Sequence, residues 1–105
     1  MKVSSNFNRF YHSLLGEFYK QADEVKVEGI GILYTKGLTL DNFKQTLKLL
    51  NLEYPRENYT TLSTKDISNK DLVEHIEFII KLAYQNYYRL KVVEQEWEQV
   101  LRENR

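Results

Sequence analysis

Two histidines, His12 and His75, are the first residues to examine for chemistry. Imidazole can bind zinc or shuttle protons near neutral pH. His12 falls roughly opposite the apolar side of its segment, and His75 flanks an apolar stripe beside Ile76. No metal-ligand spacing joins them, and the chain has no cysteine. A zinc site is therefore not expected, and both are read as surface or boundary histidines. Without cysteine, disulfides and thiolate nucleophiles are excluded, and a cytoplasmic location is expected.

No serine lies in a Gly-x-Ser-x-Gly turn. Gly29-Ile30-Gly31 lacks the third glycine and the lysine of a phosphate loop, so it reads as close backbone approach at a strand. An EF-hand loop leading into the helix after Gly37 would place Gly31, Leu33 and Thr35 at its first ligand positions, and none carries a carboxylate. Carboxylates elsewhere fit solvated helix faces. No catalytic residues, cofactor or metal are expected, and the chain is read as a non-enzyme.

The residues that stand out lie near the C-terminus. Between Glu77 and Glu94 there is no acidic residue, while Lys81, Tyr84, Tyr87, Tyr88, Arg89 and Lys91 fall in that window. On one helix, Lys81, Tyr84, Tyr88 and Lys91 would project together. Tyrosines between lysines suit an acidic protein surface or a nucleic-acid strand. The same rings could instead be buried under another segment with lysine stems beside them.

A second feature is the stripe Leu72, Ile76, Ile79, Ala83, Asn86, Leu90, Val93, Trp97, Val100. It alternates by four and three, as a coiled-coil seam does. Asn86 would fix its register. An exposed stripe with a tryptophan needs a partner, which could be the first helix, a second copy, or another protein.

These side chains need elements to hold them. Phe7, Phe10, Tyr11, Leu14, Leu15, Phe18 and Ala22 predict an amphipathic helix over 5–22, with Ser4 or Ser5 as its cap. Val25-Lys26-Val27 and Ile30 to Tyr34 predict a small β element near 25–35, with Glu28-Gly29 as a tight turn. Leu40, Phe43, Leu47 and Leu50 predict a helix over 40–50, capped by Thr39, stapled by Leu38 and closed at Asn51 with Leu52 folding back. The connection 53–67 holds the only proline, Pro55, and a threonine-rich stretch at 59–63 that could be a strand paired with the 30–34 segment. Ser68 and Ile67 can start a single helix over 69–103, with no proline or glycine inside it. Such a helix would be about 50 Å long, so part of it must project, bend or pack on something else.

The chain has 105 residues, 15 basic and 15 acidic, with 42% hydrophobic and 29% charged. That fits one globular domain over 1–105. Zero net charge removes the global argument for nucleic-acid or membrane binding. No signal peptide or membrane span is expected. The expected architecture is mainly α: three helices, the last one long, with the small β element. The expected function is a non-enzymatic protein–protein interaction, as a small inhibitor, adaptor or accessory subunit. The partner would be another protein or a second copy, through Lys81, Tyr84, Tyr88, Lys91, Leu90, Val93, Trp97 and Val100. The competing reading is a nucleic-acid-binding module that uses the Tyr/Lys face.

Overall fold

A computed structural model describes residues 5–51 and 69–104. The fold is mainly α with a small antiparallel hairpin. Helix α1 spans Ser5–Gln21, strands β1 and β2 span Glu24–Val27 and Gly31–Tyr34, and a 3-10 turn covers Thr35–Gly37. Helices α2 and α3 span Leu40–Asn51 and Asn69–Gln85. A C-terminal helix follows over residues 91–104, built from a π-helical turn, Val93–Trp97, and the α-helix Glu98–Asn104. The connection 53–67, Pro55, the threonine-rich stretch at 59–63, and the expected contributions of Ser4, Leu52, Ile67 and Ser68 lie outside the described residues.

Helix α1 forms because its large apolar residues recur at helical spacing. Phe7, Phe10, Tyr11, Leu14, Leu15 and Phe18 are all buried on that one face. Helix α2 and the C-terminal helix pack against α1, and α3 packs against α2 and β1. Ring contacts tie the core together: Phe18 meets Phe43 edge to face at 5.4 Å, and Tyr19 meets Phe43 at 5.5 Å. Such aromatic pairs add to simple area burial. Thr39 caps α2 as expected, its Oγ1 accepting from Asn42 N–H at 3.1 Å.

The hairpin turns where the sequence suggests. Val27 C=O accepts from Ile30 N–H at 3.1 Å. Gly29 takes φ 81° inside that turn, a conformation glycine adopts without strain. The register pairs Glu24 with Tyr34, Val25 with Leu33, Lys26 with Ile32, and Val27 with Gly31. Val25 and Val27 face the core, and buried Thr35 anchors the far end by donating to the carbonyls of Ala22 and Asp23.

The expected single helix over 69–103 is not continuous. It stops at Gln85, and the chain turns through Asn86 and Tyr87 before helix resumes at residue 91. The stop is a Schellman motif: Tyr88 N–H donates to Ala83 C=O at 2.9 Å and Tyr87 N–H to Tyr84 C=O at 3.0 Å. Tyr87 holds the left-handed position that glycine usually takes, at φ 64°. Tertiary bonds hold the break open. The Asn86 side chain bonds to Lys26, and the Tyr88 hydroxyl donates to Glu24 C=O at 2.9 Å. Glu17 of α1 caps the resumed helix, its carboxylate accepting from Lys91 N–H and, at 3.0 Å, from Val92 N–H. A carboxylate there satisfies two otherwise unpaired donors at the positive end of the helix dipole. The described residues extend over 35 × 33 × 23 Å, and no straight 50 Å helix exists to project from them.

Candidate docking surface

The residues singled out from sequence are distributed over α3, the turn after it and the C-terminal helix. Lys81 and Tyr84 sit exposed on α3. Tyr88 lies past the turn, half-buried, with its ring 5.9 Å from that of Phe18. Lys91 starts the C-terminal helix with its side chain exposed and its N–H on Glu17. The break at Asn86 and Tyr87 falls between Tyr84 and Tyr88 along the chain, and Glu17, which caps Lys91, also lies near Tyr84.

The apolar stripe is used inside the chain. Leu72, Ile76, Ile79, Ala83, Leu90 and Val100 are buried. Val93 and Trp97 are half-buried against the same core, and Trp97 stacks on Phe10 with ring centroids 5.3 Å apart and planes at 20°. The C-terminal half of the stripe lies on α1, and its α3 half lies against α2 and β1. Asn86 fixes no coiled-coil register. It sets the edge of a sheet instead.

His75 is fully buried rather than at a boundary. Its Nε2 lies 3.2 Å from the Tyr11 hydroxyl, and its ring stacks near Phe78 at 6.4 Å. Burial, with a smaller contribution from the Lys48 charge, pushes its pKa down to about 3. Burial also lifts the Tyr11 phenol well above its ordinary range. Both groups are therefore neutral at pH 7, which suits a polar pair in the core. His12 is exposed, and Lys44 Nζ approaches its Nδ1 at 3.0 Å. Its pKa is lowered by partial desolvation first, then by Lys44 and Lys48. Among the described residues, no group of three His, Cys, Asp or Glu side chains is placed to hold a metal ion. None of their helices is long and apolar enough to cross a membrane.

Among the described residues, Leu49 on α2 and Tyr84 on α3 are exposed large apolar side chains, and the other four lie on the hairpin and at Tyr87. Ile30, Ile32 and Tyr34 are 68%, 49% and 58% exposed, and Tyr87 is 97% exposed. Strand alternation explains the hairpin members. Ile32 pairs with Lys26 and Tyr34 with Glu24, so all four share the face opposite buried Val25. Ile30 and Tyr87 line an open groove of about 690 Å³ together with Lys26, Gly29 and Asn86. The sequence did carry a signal for Ile32 and Tyr34. Val25 and Val27 mark the core side of β1, and the Glu28-Gly29 turn fixes which residues of β2 fall opposite. The exposure of Tyr87 had no such signal, because it follows from a helix end with neither glycine nor proline to announce it.

Compared with known proteins, the chain matches no family model, no curated protein and no solved structure.

Proposed function

We propose that this chain is a non-enzymatic protein–protein interaction protein of the cytoplasm, a small inhibitor, adaptor or accessory subunit, that docks through Tyr87 and the outer face of the hairpin. The observation that carries the reading is Tyr87 itself. It is 97% exposed and held at φ 64°. A bulky residue in the left-handed region costs about 1–2 kcal/mol relative to glycine, and a ring so exposed returns almost no burial. A strained, solvent-facing aromatic contributes to binding rather than to folding. Ile30, Ile32 and Tyr34 add exposed apolar side chains on the hairpin, with Lys26 between Ile32 and the Asn86 turn and Glu24 beside Tyr34. Aromatic and aliphatic side chains with a few charges among them suit a protein interface. The Tyr/Lys arrangement proposed for nucleic acid has less geometric support, since Tyr88 is engaged with Phe18 and Glu24.

The test is site-specific photo-crosslinking in extract of the native host. A benzophenone amino acid replaces Tyr87 or Tyr34 in one set of proteins and exposed Gln99, on the C-terminal helix, in another. The reading expects one discrete protein adduct from positions 87 and 34 and none from 99. Equal labelling from all three positions, or adducts with nucleic acid, would overturn it.

A further inference from the structure

The two edges of the hairpin are unlike. On β1, the outward backbone groups are taken: Lys26 N–H and C=O bond to the Asn86 amide at 2.6 and 3.0 Å, and Glu24 C=O accepts from Tyr88. On β2, antiparallel pairing directs the N–H and C=O of Ile32 and Tyr34 off the opposite edge, because their partners Lys26 and Glu24 also point outward. Among the described residues, β2 has no neighbour but β1. It therefore offers two donors and two acceptors, with exposed Ile32 and Tyr34 side chains beside them. An edge of this kind templates strand addition.

We infer that this edge pairs antiparallel with the same edge of a second copy of the chain, Ile32 opposite Tyr34 of the copy and Leu33 opposite Leu33 on the two-fold axis. The register follows from the hydrogen bonds. Placing Ile32 opposite Tyr34 of the copy puts outward groups on both members of each pair, so all four groups of each chain are satisfied. Shifting to Ile32 opposite Ile32 sets Tyr34 against Ile30, whose N–H already serves the turn. Shifting the other way sets Ile32 against Lys36, where the backbone has left the strand for the 3-10 turn. Only one two-fold register uses the whole edge.

The side chains agree with that register. On the outer face, each row across the four strands reads Lys26, Ile32, then Tyr34 and Glu24 of the copy. An aliphatic–aromatic cross-strand pair sits at each join, and the outer charges of each row are opposite in sign. No like charges meet. On the inner face, half-buried Leu33 meets its own symmetry mate and extends the layer begun by Val25. A strand from another protein could take the same hydrogen bonds, but the match of each row to its own reverse is specific to a second copy. The inference rests on reading this hairpin as an interaction surface. It concerns the edge, whereas the proposed docking of another protein uses the face.

Sedimentation velocity on the whole chain tests it, together with two variants. Ile32→Pro removes an outward N–H without touching the bonds between β1 and β2. Leu33→Cys places a thiol on the axis of a chain that has no cysteine. Opposite residues of a non-hydrogen-bonded antiparallel pair are close enough for a disulfide. The expected result is a monomer–dimer equilibrium that weakens about tenfold or more in Ile32→Pro. Leu33→Cys should give a reducible dimer about tenfold faster than the control Lys36→Cys. Should Ile32→Pro lose its helical circular dichroism, Ile32→Lys replaces it as an edge-charge block. A wild-type chain that stays monomeric at about 1 mM, or a dimer indifferent to both edge variants, overturns the inference. Ile30→Ser separates the two readings. It should leave the dimer intact while lowering crosslinking at position 87: a weakened dimer would overturn the edge pairing, and unchanged crosslinking would overturn the docking reading.

Discussion

The side-chain amide of Asn86 stands where a third strand would stand beside Lys26. Its Oδ1 accepts from Lys26 N–H at 2.6 Å, and its Nδ2 donates to Lys26 C=O at 3.0 Å and to Leu82 C=O at 2.9 Å. One residue thus closes the edge of β1, satisfies a carbonyl in the last turn of α3, and stops the helix there.

Asn86→Ala removes three hydrogen bonds at a partly exposed site. Each is worth about 0.5–1.5 kcal/mol net, and water can replace those on Lys26. Stability should fall by about 1–2 kcal/mol, read as a lower urea midpoint at unchanged slope. Asn86→Leu should not recover it. Leucine would suit a continuous seam helix, but Tyr88 and Glu17 still hold the break.

Tyr84 and Tyr88 should behave differently, although a single helix would make them equivalent. Tyr88→Ala loses the ring on Phe18 and the bond to Glu24 C=O, and should cost about 2–3 kcal/mol. Tyr84 is 43% exposed, and Tyr84→Ala should cost less than about 0.5 kcal/mol. Chemical denaturation of the two single variants decides this.

Glu17→Gln keeps the shape of the cap and removes its charge. The C-terminal helix should lose about 1 kcal/mol of support. Amide hydrogen exchange should speed up at Lys91 and Val92 before it does in α1.

Stability should fall with acid through a window set by His75. The folded state holds this ring neutral down to about pH 3, whereas the unfolded chain takes up the proton near 6.5. Between those values the unfolded state binds more protons. Stability is therefore complete above about pH 7 and declines as pH drops toward 3. The slope should approach about 1.4 kcal/mol per pH unit near pH 5. The lowered pKa of His12 adds a smaller contribution of the same sign. Urea midpoints measured from pH 7.5 to 4 should show the decline, and His75→Gln should remove most of it.

Much of the fold was legible because it rests on local periodicity. The apolar face of α1, the Thr39 cap and the Glu28-Gly29 turn were all visible in spacing and residue type. The stripe from Leu72 to Val100 pointed inward as its spacing implied, but its continuity was lost. Gln85-Asn86-Tyr87-Tyr88 holds no glycine or proline, and Asn86 fitted the seam as well as it fitted a helix end. Beside the local turn bonds, the break is held by bonds to Lys26, Glu24 and Glu17, which lie 60 or more residues away. The prominence of Tyr87 was hidden for the same reason, since its exposure follows from the break.

The most direct test of the account is to measure the stability and binding of Tyr87→Gly together. Glycine relieves the left-handed strain and removes a ring that packs on almost nothing, so stability should hold or rise by up to about 1 kcal/mol. Affinity for the protein captured by crosslinking at position 87 should fall about tenfold or more. A variant that binds as tightly as the wild type, or one that loses stability with the ring, would contradict the claim that Tyr87 is exposed for a partner.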